Sequence, residues 1–185
     1  MEEREQNNKS STALWNNFLI PNYIVRYFII IDLFNYFKVV GLGGYRMKNS
    51  KERQRQQALE YRNSLTDLEL LKKSTKIKDR LFKLEEFKSA KTVMFYVAFK
   101  NEVKTEPMIK AALDLNKKVV IPISKIKEKE LHLSEIKDYD RELEVGSYGI
   151  LEPKEEYIRT VSAKELDLIV LPGLAFDSSG HRLGY

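Results

Sequence analysis

The run Leu166-Asp167-Leu168-Ile169-Val170-Leu171 leads directly into Pro172-Gly173-Leu174-Ala175-Phe176-Asp177-Ser178-Ser179-Gly180-His181-Arg182-Leu183-Gly184-Tyr185. The first run is apolar in the way that is typical of a fully buried strand. The second run carries glycines, hydroxyl groups and Arg182, whose planar guanidinium group suits a phosphate. A buried strand that delivers such a loop predicts an α/β protein with a ligand site at the carboxyl end of the strand.

The sequence upstream alternates helical and strand patterns. Residues 51–63 are charged and contain neither Gly nor Pro, which predicts a helix, and Thr66 with Glu69 forms a capping box before a second helix. A third helix should begin at Thr105 or Glu106, with Pro107 in its first turn. Buried strands are predicted at 92–98, 118–123 and 166–171, with a shorter element at 131–136. This alternation predicts an α/β domain with a largely parallel sheet, whose loops 99–105, 122–130 and 172–185 meet at one edge.

Composition limits the function classes. The 185 residues suit a single domain, and the absence of cysteine excludes disulfides and thiolate chemistry and is consistent with a cytoplasmic location. The net charge of +5 is spread along the chain without a basic stripe, so no nucleic-acid partner is expected. Positive charge would also favour a polyanionic ligand.

Residues 1–46 differ from the rest and are expected to be a non-native or disordered extension. The apolar run at 18–40 is interrupted by Arg26, Asp32 and Lys38, which makes it a poor membrane span, and it lacks the features of a signal peptide. Met47 resembles a natural start, and Gly43-Gly44 could be a translated ribosome-binding sequence. The alternative is a genuine amphipathic or membrane-surface extension.

Two polar groups stand out besides the loop that contains Arg182. Lys51 and Arg55 are four residues apart, so they share one face of the predicted helix and could together grip a phosphate, although exposed basic pairs are commonly just solvated. Glu102 follows the strand predicted at 92–98. Its carboxylate could serve a ligand or simply be a loop charge.

The segment from Pro172 resembles the last motif of the 5-formyltetrahydrofolate cyclo-ligases, also called methenyltetrahydrofolate synthetases. That motif reads PGLAFD, two variable residues, G, one variable residue and RLGYG, and it continues as GGYYD. Residues 149–153 match the family pattern GI-variable-EP, and residues 102–105 match its pattern of Glu, Val or Ile, a variable residue and Thr. The match stops at Tyr185, so the rest of the glycine-rich ATP loop and an acidic magnesium ligand are expected beyond it.

The resemblance implies a three-layer αβα sandwich, Rossmann-like and of the NagB/RpiA/CoA-transferase type. Residues 47–185 would form a cyclo-ligase-like domain that is incomplete at its C-terminus, with one sheet edge left bare. The implied activity is the ATP-dependent cyclisation of 5-formyltetrahydrofolate to 5,10-methenyltetrahydrofolate, with Mg²⁺ on the phosphates, by a cytoplasmic monomer without a membrane partner. The alternative is an inactive, truncated folate- or nucleotide-binding remnant of the family.

The resemblance also implies residue roles. The ATP-binding residues would be Lys51, Arg55, Arg182, Leu183, Gly184 and Tyr185. Arg182 would also be catalytic, meeting the phosphate that is transferred. The folate-binding residues would be Val97, Glu102 and Tyr185, with Glu102 contacting the pterin; plain core packing is the alternative for Val97. No metal ligand is expected within the chain, and the family pattern at 149–153 receives no chemical role.

Overall fold

The computed structural model describes Tyr27–Ile30 as a strand and residues 51–125, 130–146, 149–176 and 182–184. The helices are α1 (Lys51–Ser64), α2 (Asp67–Leu81), α3 (Glu85–Ser89), α4 (Glu106–Asp114) and α5 (Tyr139–Glu142). The strands are β1 (Tyr27–Ile30), β2 (Thr92–Phe95), β3 (Lys118–Lys125), β4 (Glu130–Ile136), β5 (Leu143–Val145), β6 (Leu151–Pro153), β7 (Leu168–Leu171), β8 (Ala175–Phe176) and β9 (Arg182–Leu183). Short 3-10 helices lie at Glu155–Tyr157 and Ala163–Glu165.

A five-stranded sheet in the order β1-β7-β2-β3-β4 forms the centre of the domain. β1, β7, β2 and β3 are parallel, and β4 joins β3 as an antiparallel hairpin partner. β5 with β6, and β8 with β9, form two small antiparallel pairs outside this sheet. The predicted α/β class with a largely parallel sheet is therefore confirmed.

Alternate residues of the central strands supply two apolar clusters, one on each face of the sheet, as the two-residue period of a strand requires. On one face, Phe95 and Val170 pack with side chains of α2, α3 and α4, among them Leu81, Phe87 and Met108. On the other face, the neighbouring strand residues pack against the segment that leads into β7. Members of this second cluster are Met94, Val120, Leu133, Val161, Leu166, Ile169 and Leu171.

The amino ends of the parallel strands are held by one carboxylate. The backbone N–H groups of Lys91 and Thr92 both donate to Asp167 Oδ2, at 2.9 Å each, and Asp167 N donates to the Thr92 carbonyl at 3.0 Å. These bonds fix the start of β2 against the start of β7. The carboxyl ends of the same strands are thereby set level at the opposite edge, where the predicted loops emerge.

The helix predictions agree closely with the structure. α1 spans Lys51–Ser64, and α2 begins after Thr66 with the predicted capping box. α4 has Pro107 in its first turn, as predicted. The element predicted at 131–136 is β4. The short helices α3 and α5 and the strand pairing of the β5–β6 hairpin were not predicted.

Each of the three predicted buried strands differs from the structure at one end, and β7 begins at Leu168 rather than at Leu166. β2 ends at Phe95 rather than Ala98, since Ala98 N donates to a loop hydroxyl instead of to a strand, and β3 continues to Lys125 rather than ending at Ile123. Tyr27–Ile30, inside the segment expected to be a non-native or disordered extension, pairs in parallel with β7, so this side of β7 is not the bare edge that was expected. The rest of residues 1–46 lies outside the described residues.

Candidate functional site

The carboxyl edge of the parallel strands gathers the polar segments that the sequence analysis selected. The segment 96–105 follows β2, residues 172–174 follow β7, and the β8–β9 pair continues from there. The segment after β3 begins beyond Lys125, and residues 126–129 lie outside the described part of the chain. Ligand sites of open α/β sheets form at this edge.

Glu102 belongs to a tight loop after β2. Phe99 N donates to Glu102 Oε2 at 2.9 Å, and Glu102 N donates to the Phe99 carbonyl at 3.2 Å. Lys100, between them, has a φ of 51°, in the left-handed region that a non-glycine residue rarely adopts. The carboxylate thus lies close to the loop backbone, half-buried at the edge of the sheet.

Three buried side chains brace this loop. Thr105 Oγ1 accepts from Ala98 N at 2.9 Å, and Ser74 Oγ of α2 accepts from Lys104 N at 3.0 Å. The Tyr96 hydroxyl donates to the Val103 carbonyl at 3.3 Å. These three bracing residues, Ser74, Tyr96 and Thr105, are at most 4% exposed, so water competes little for their hydrogen bonds. The loop that carries Glu102 is therefore held in one shape by the core beneath it.

The second part of the site joins the two ends of the described domain. Arg55 Nε of α1 donates to the Gly184 carbonyl at 3.1 Å, across 129 positions of sequence. Leu174 N donates to the Leu183 carbonyl at 2.9 Å, which adds to the β8–β9 pairing. The hydrogen bond of Arg55 therefore places α1 next to the segment that carries Arg182.

Arg182 is half-buried, and its Nη1 donates to the Pro172 carbonyl at 3.1 Å. Burial lowers the pKa of its guanidinium group from the ordinary value. A cation in such a setting attracts an anion more strongly than one in open solvent, because less water screens the charges. Next to Pro172, the Phe176 ring packs directly on Gly173, where a Cβ atom would collide with it.

The remaining predicted residues take different places. Val97 is 7% exposed and belongs to the apolar cluster that packs against α2, α3 and α4. Its contacts in this structure are those of a core residue, which was the alternative to a folate-binding role. Lys51 is exposed at the first position of α1, one helical turn before Arg55. Leu183 pairs with Ala175 in the β8–β9 hairpin. Tyr185 lies outside the described residues.

Sequence reasoning missed the bracing residues and the neighbours of Phe99. Ser74 stands among the apolar residues Leu70 and Ile77 at helical spacing and was given no role, and Tyr96 was predicted only as part of the strand at 92–98. A signal was available in part, since a hydroxyl residue in an apolar helical stripe requires a hydrogen-bond partner. Gly149, with a φ of 76°, lies against the Phe99 ring, a contact that no local pattern indicates.

The described ranges contain no candidate metal-binding cluster and no candidate membrane-spanning helix. Among residues 51–125, 130–146, 149–176 and 182–184, no group of three or more His, Asp or Glu side chains is arranged to hold a metal ion. In the same part of the chain, no helix combines the length and the apolar character that crossing a membrane requires.

Comparison with known proteins identifies the family. Residues 47–185 match the 5-formyltetrahydrofolate cyclo-ligase family. The 5-formyltetrahydrofolate cyclo-ligase of Haemophilus influenzae is 29% identical over 138 residues, which are 74% of this chain and 74% of that protein. The mouse enzyme of the same name is 28% identical over 125 residues, 65% of this chain and 62% of the mouse protein.

Two solved structures share the fold. The NMR structure of 5,10-methenyltetrahydrofolate synthetase from Aquifex aeolicus superposes with a TM-score of 0.64 at 33% identity, covering 73% of this chain and 66% of that one. The synthetase from Mycoplasma pneumoniae has a TM-score of 0.55 at 20% identity, covering 74% and 71%, and supports the fold alone. The matched segment thus spans about two thirds of these relatives. From its motifs, its fold and these similarities, the chain belongs to the 5-formyltetrahydrofolate cyclo-ligase family.

Proposed function

We propose that this chain catalyses the ATP-dependent cyclisation of 5-formyltetrahydrofolate to 5,10-methenyltetrahydrofolate, with release of ADP and phosphate. The observation that carries the proposal is the hydrogen bond from Arg55 to the Gly184 carbonyl, 3.1 Å long. It joins the basic helix to the Arg182–Gly184 segment beside the braced loop of Glu102. The segments to which we assign phosphate binding and pterin binding therefore emerge at one edge of the sheet.

The chemistry follows from the substrate. The oxygen of the formyl group on N5 is a poor leaving group. The γ-phosphoryl group of ATP is therefore transferred to this oxygen, and ADP leaves. N10 then attacks the activated formyl carbon, and the carbon–oxygen bond breaks as phosphate departs with the former formyl oxygen. N10 loses its proton, and the carbon bridges N5 and N10. Most of the catalytic contribution in such a reaction is positioning and neutralisation of charge.

Each residue of the site has a role in this scheme. Lys51 and Arg55 bind the nucleotide phosphates, and Arg182 neutralises the charge on the phosphate that is transferred. Gly184 and Leu183 offer backbone groups to the phosphates, and we assign Tyr185 to both the ATP and the folate subsites. Glu102 accepts hydrogen bonds from the N–H groups of the pterin ring, and Val97 forms part of the floor beneath it.

Several features of the enzyme belong to the proposal as well. Magnesium would enter the site bound to the phosphates of ATP. The charged side chains of the described site are cations, which do not bind Mg²⁺, and one carboxylate. The cations Arg55 and Arg182 fit the phosphates, and Glu102 fits the folate rather than the metal. We further propose that the protein works in the cytoplasm as a monomer, without a nucleic-acid or membrane partner.

An absorbance assay for methenyltetrahydrofolate, with folded full chain, 5-formyltetrahydrofolate and Mg-ATP, tests the function. We expect product formation, and we expect Arg55→Ala to raise KM for ATP by about tenfold or more, because a hydrogen-bonding cation is removed. The matched control is Arg53→Ala, which lies on another side of α1 and should change KM by less than about twofold. Folate binding without turnover would favour an inactive binding protein. The absence of both folate binding and turnover would reject the proposal.

A further inference from the structure

The family pattern at 149–153 has no part in the proposed chemistry, yet its glutamate makes a long-range contact. Glu152 lies in β6, and its Oε1 accepts a hydrogen bond from Ser124 N at 3.0 Å. Ser124 is next to the last residue of β3, at the carboxyl edge where the site lies. The half-buried carboxylate therefore fastens the β5–β6 hairpin to the end of a central strand.

Gly146 provides the room for this contact. A Cβ atom at residue 146 would come within 2.9 Å of both Cβ and Cδ of Glu152, closer than real Cβ contacts. The hairpin closes over the glycine, with Gly146 N donating to the Ile150 carbonyl at 2.8 Å. Glycine at this position thus lets the Glu152 side chain pass across the turn and reach β3.

The same turn supports the loop of Glu102. Gly149 has a φ of 76°, and a Cβ atom there would lie 3.5 Å from Phe99 Cε2, so the Phe99 ring is in contact distance of the turn. Phe99 N in turn donates to Glu102 Oε2 at 2.9 Å. Gly149 N also donates to the Gly146 carbonyl at 3.3 Å, and Gly146 lies against the Glu152 side chain. A continuous series of contacts therefore runs from Ser124 to Glu102, by way of Glu152, Gly146, Gly149 and Phe99.

We propose that Glu152 is a positioning residue for folate binding: by accepting from Ser124 N it holds Gly146 and Gly149 in place, with Gly149 against Phe99, and so sets the orientation of Glu102. This inference rests on the proposed function, because it assigns Glu102 to the folate subsite. It gives the pattern at 149–153 a role in the binding of the folate and none in the binding of the nucleotide.

The test compares Glu152→Ala with Glu152→Gln, since glutamine keeps an acceptor oxygen for Ser124 N. We expect Glu152→Ala to raise KM and Kd for 5-formyltetrahydrofolate about fivefold, the effect of about one net hydrogen bond, and to leave KM for ATP within about twofold. Glu152→Gln should stay close to the wild type. The matched control is Glu165→Ala, whose carboxylate pairs with Lys118 at the amino end of β3, away from the site. It should leave both KM values unchanged.

Hydrogen exchange of the full chain without ligand gives a second readout that does not depend on activity. The amides of 98–105 should exchange faster in Glu152→Ala than in Glu152→Gln or the wild type. Equal exchange and equal folate affinity in the two Glu152 variants would overturn the inference, and so would equal changes in KM for ATP and folate. If the wild-type chain bound no folate, the proposed function would fail, while the exchange rates would still decide for or against the coupling.

Discussion

At the scale of single residues, the environment of Glu102 explains how a loop carboxylate becomes a candidate binding group. The loop leaves β2 at Phe95, and two of its backbone N–H groups donate to hydroxyl oxygens, that of Ala98 to Thr105 and that of Lys104 to Ser74, rather than to a neighbouring strand. A buried hydrogen bond of this kind stabilises the fold modestly, whereas a buried N–H group left without its acceptor destabilises it. The geometry of the loop therefore depends on a few hydroxyl groups.

Thr105→Val tests this dependence, because valine keeps the shape of threonine and removes the acceptor for Ala98 N. We expect a loss of about 1–3 kcal/mol in the free energy of unfolding, since a buried N–H loses its partner. We also expect a several-fold higher KM for 5-formyltetrahydrofolate. Chemical denaturation measures the free energy of unfolding, and the absorbance assay measures the KM. Thr105→Ser keeps the hydroxyl and should restore most of the affinity. An unchanged folate KM in folded Thr105→Val would contradict the bracing role.

At the scale of elements, one carboxylate joins three segments at the outer side of β4. Glu142, at the end of α5, is 6% exposed at its side chain and accepts from Arg159 Nη1 at 2.7 Å and Nη2 at 2.9 Å. Its Oε2 also accepts from Lys137 N at 2.9 Å, and its carbonyl accepts from Lys154 N. The bidentate pair thus fixes α5, the end of β4 and the segment after β6 together.

The Arg159 hydrogen bonds hold the pKa of Glu142 below its ordinary value of 4.5, with a further contribution from Lys137 N. Because the folded-state pKa is lowered, this stabilisation is complete at pH values above about 4.5 and is lost as the pH falls below it. We expect Glu142→Gln to lower the free energy of unfolding by about 1–3 kcal/mol at pH 7. The difference from the wild type should shrink below pH 4.5, as measured by urea denaturation between pH 3 and 7.

The matched control is Glu144→Gln, a substitution two residues away at an exposed position of β5. It should leave stability unchanged across the same pH range. A difference between Glu142→Gln and the wild type that stayed constant down to pH 3 would contradict the assignment, because the stabilisation would then not depend on the ionised carboxylate.

At the scale of the whole molecule, the sheet edge at β7 is the feature that connects the N-terminal segment with the domain. Tyr27–Ile30 pairs with Leu168–Leu171 in parallel register. An uncovered strand edge offers unpaired N–H and C=O groups to other chains. That residues 1–46 are a non-native extension stays a prediction, and the pairing makes it testable.

The double substitution Phe28→Pro with Ile29→Pro should uncover β7, because proline lacks the N–H that pairing requires and the chain keeps its length. We expect concentration-dependent self-association by light scattering and faster hydrogen exchange in residues 168–171. Deletion of residues 1–46 should have the same effect. A monomeric double variant with unchanged exchange in β7 would mean that residues 27–30 do not protect this edge in solution.

Local patterns in the sequence determined most elements and the family. The capping box at Thr66, Pro107 in the first turn of α4 and the apolar runs of β3 and β7 each follow from interactions within a few residues. Such short-range preferences are readable from the chain because both partners lie in the same window. The motif from Pro172 to Tyr185 carries its information in the same way, as residue types at fixed spacing.

Tertiary structure alone decided how those pieces form a site. Three contacts join residues that are far apart in sequence. Arg55 donates to the Gly184 carbonyl, Lys104 N donates to the Ser74 hydroxyl, and the Phe99 ring packs against Gly149. The short β5–β6 hairpin was missed for the same reason, since its position depends on Glu152 reaching Ser124 rather than on its own composition. The sequence by itself determined which groups are present and which elements carry them. Only the packing of the sheet and helices decided their distances, because these depend on contacts between elements that no local pattern specifies.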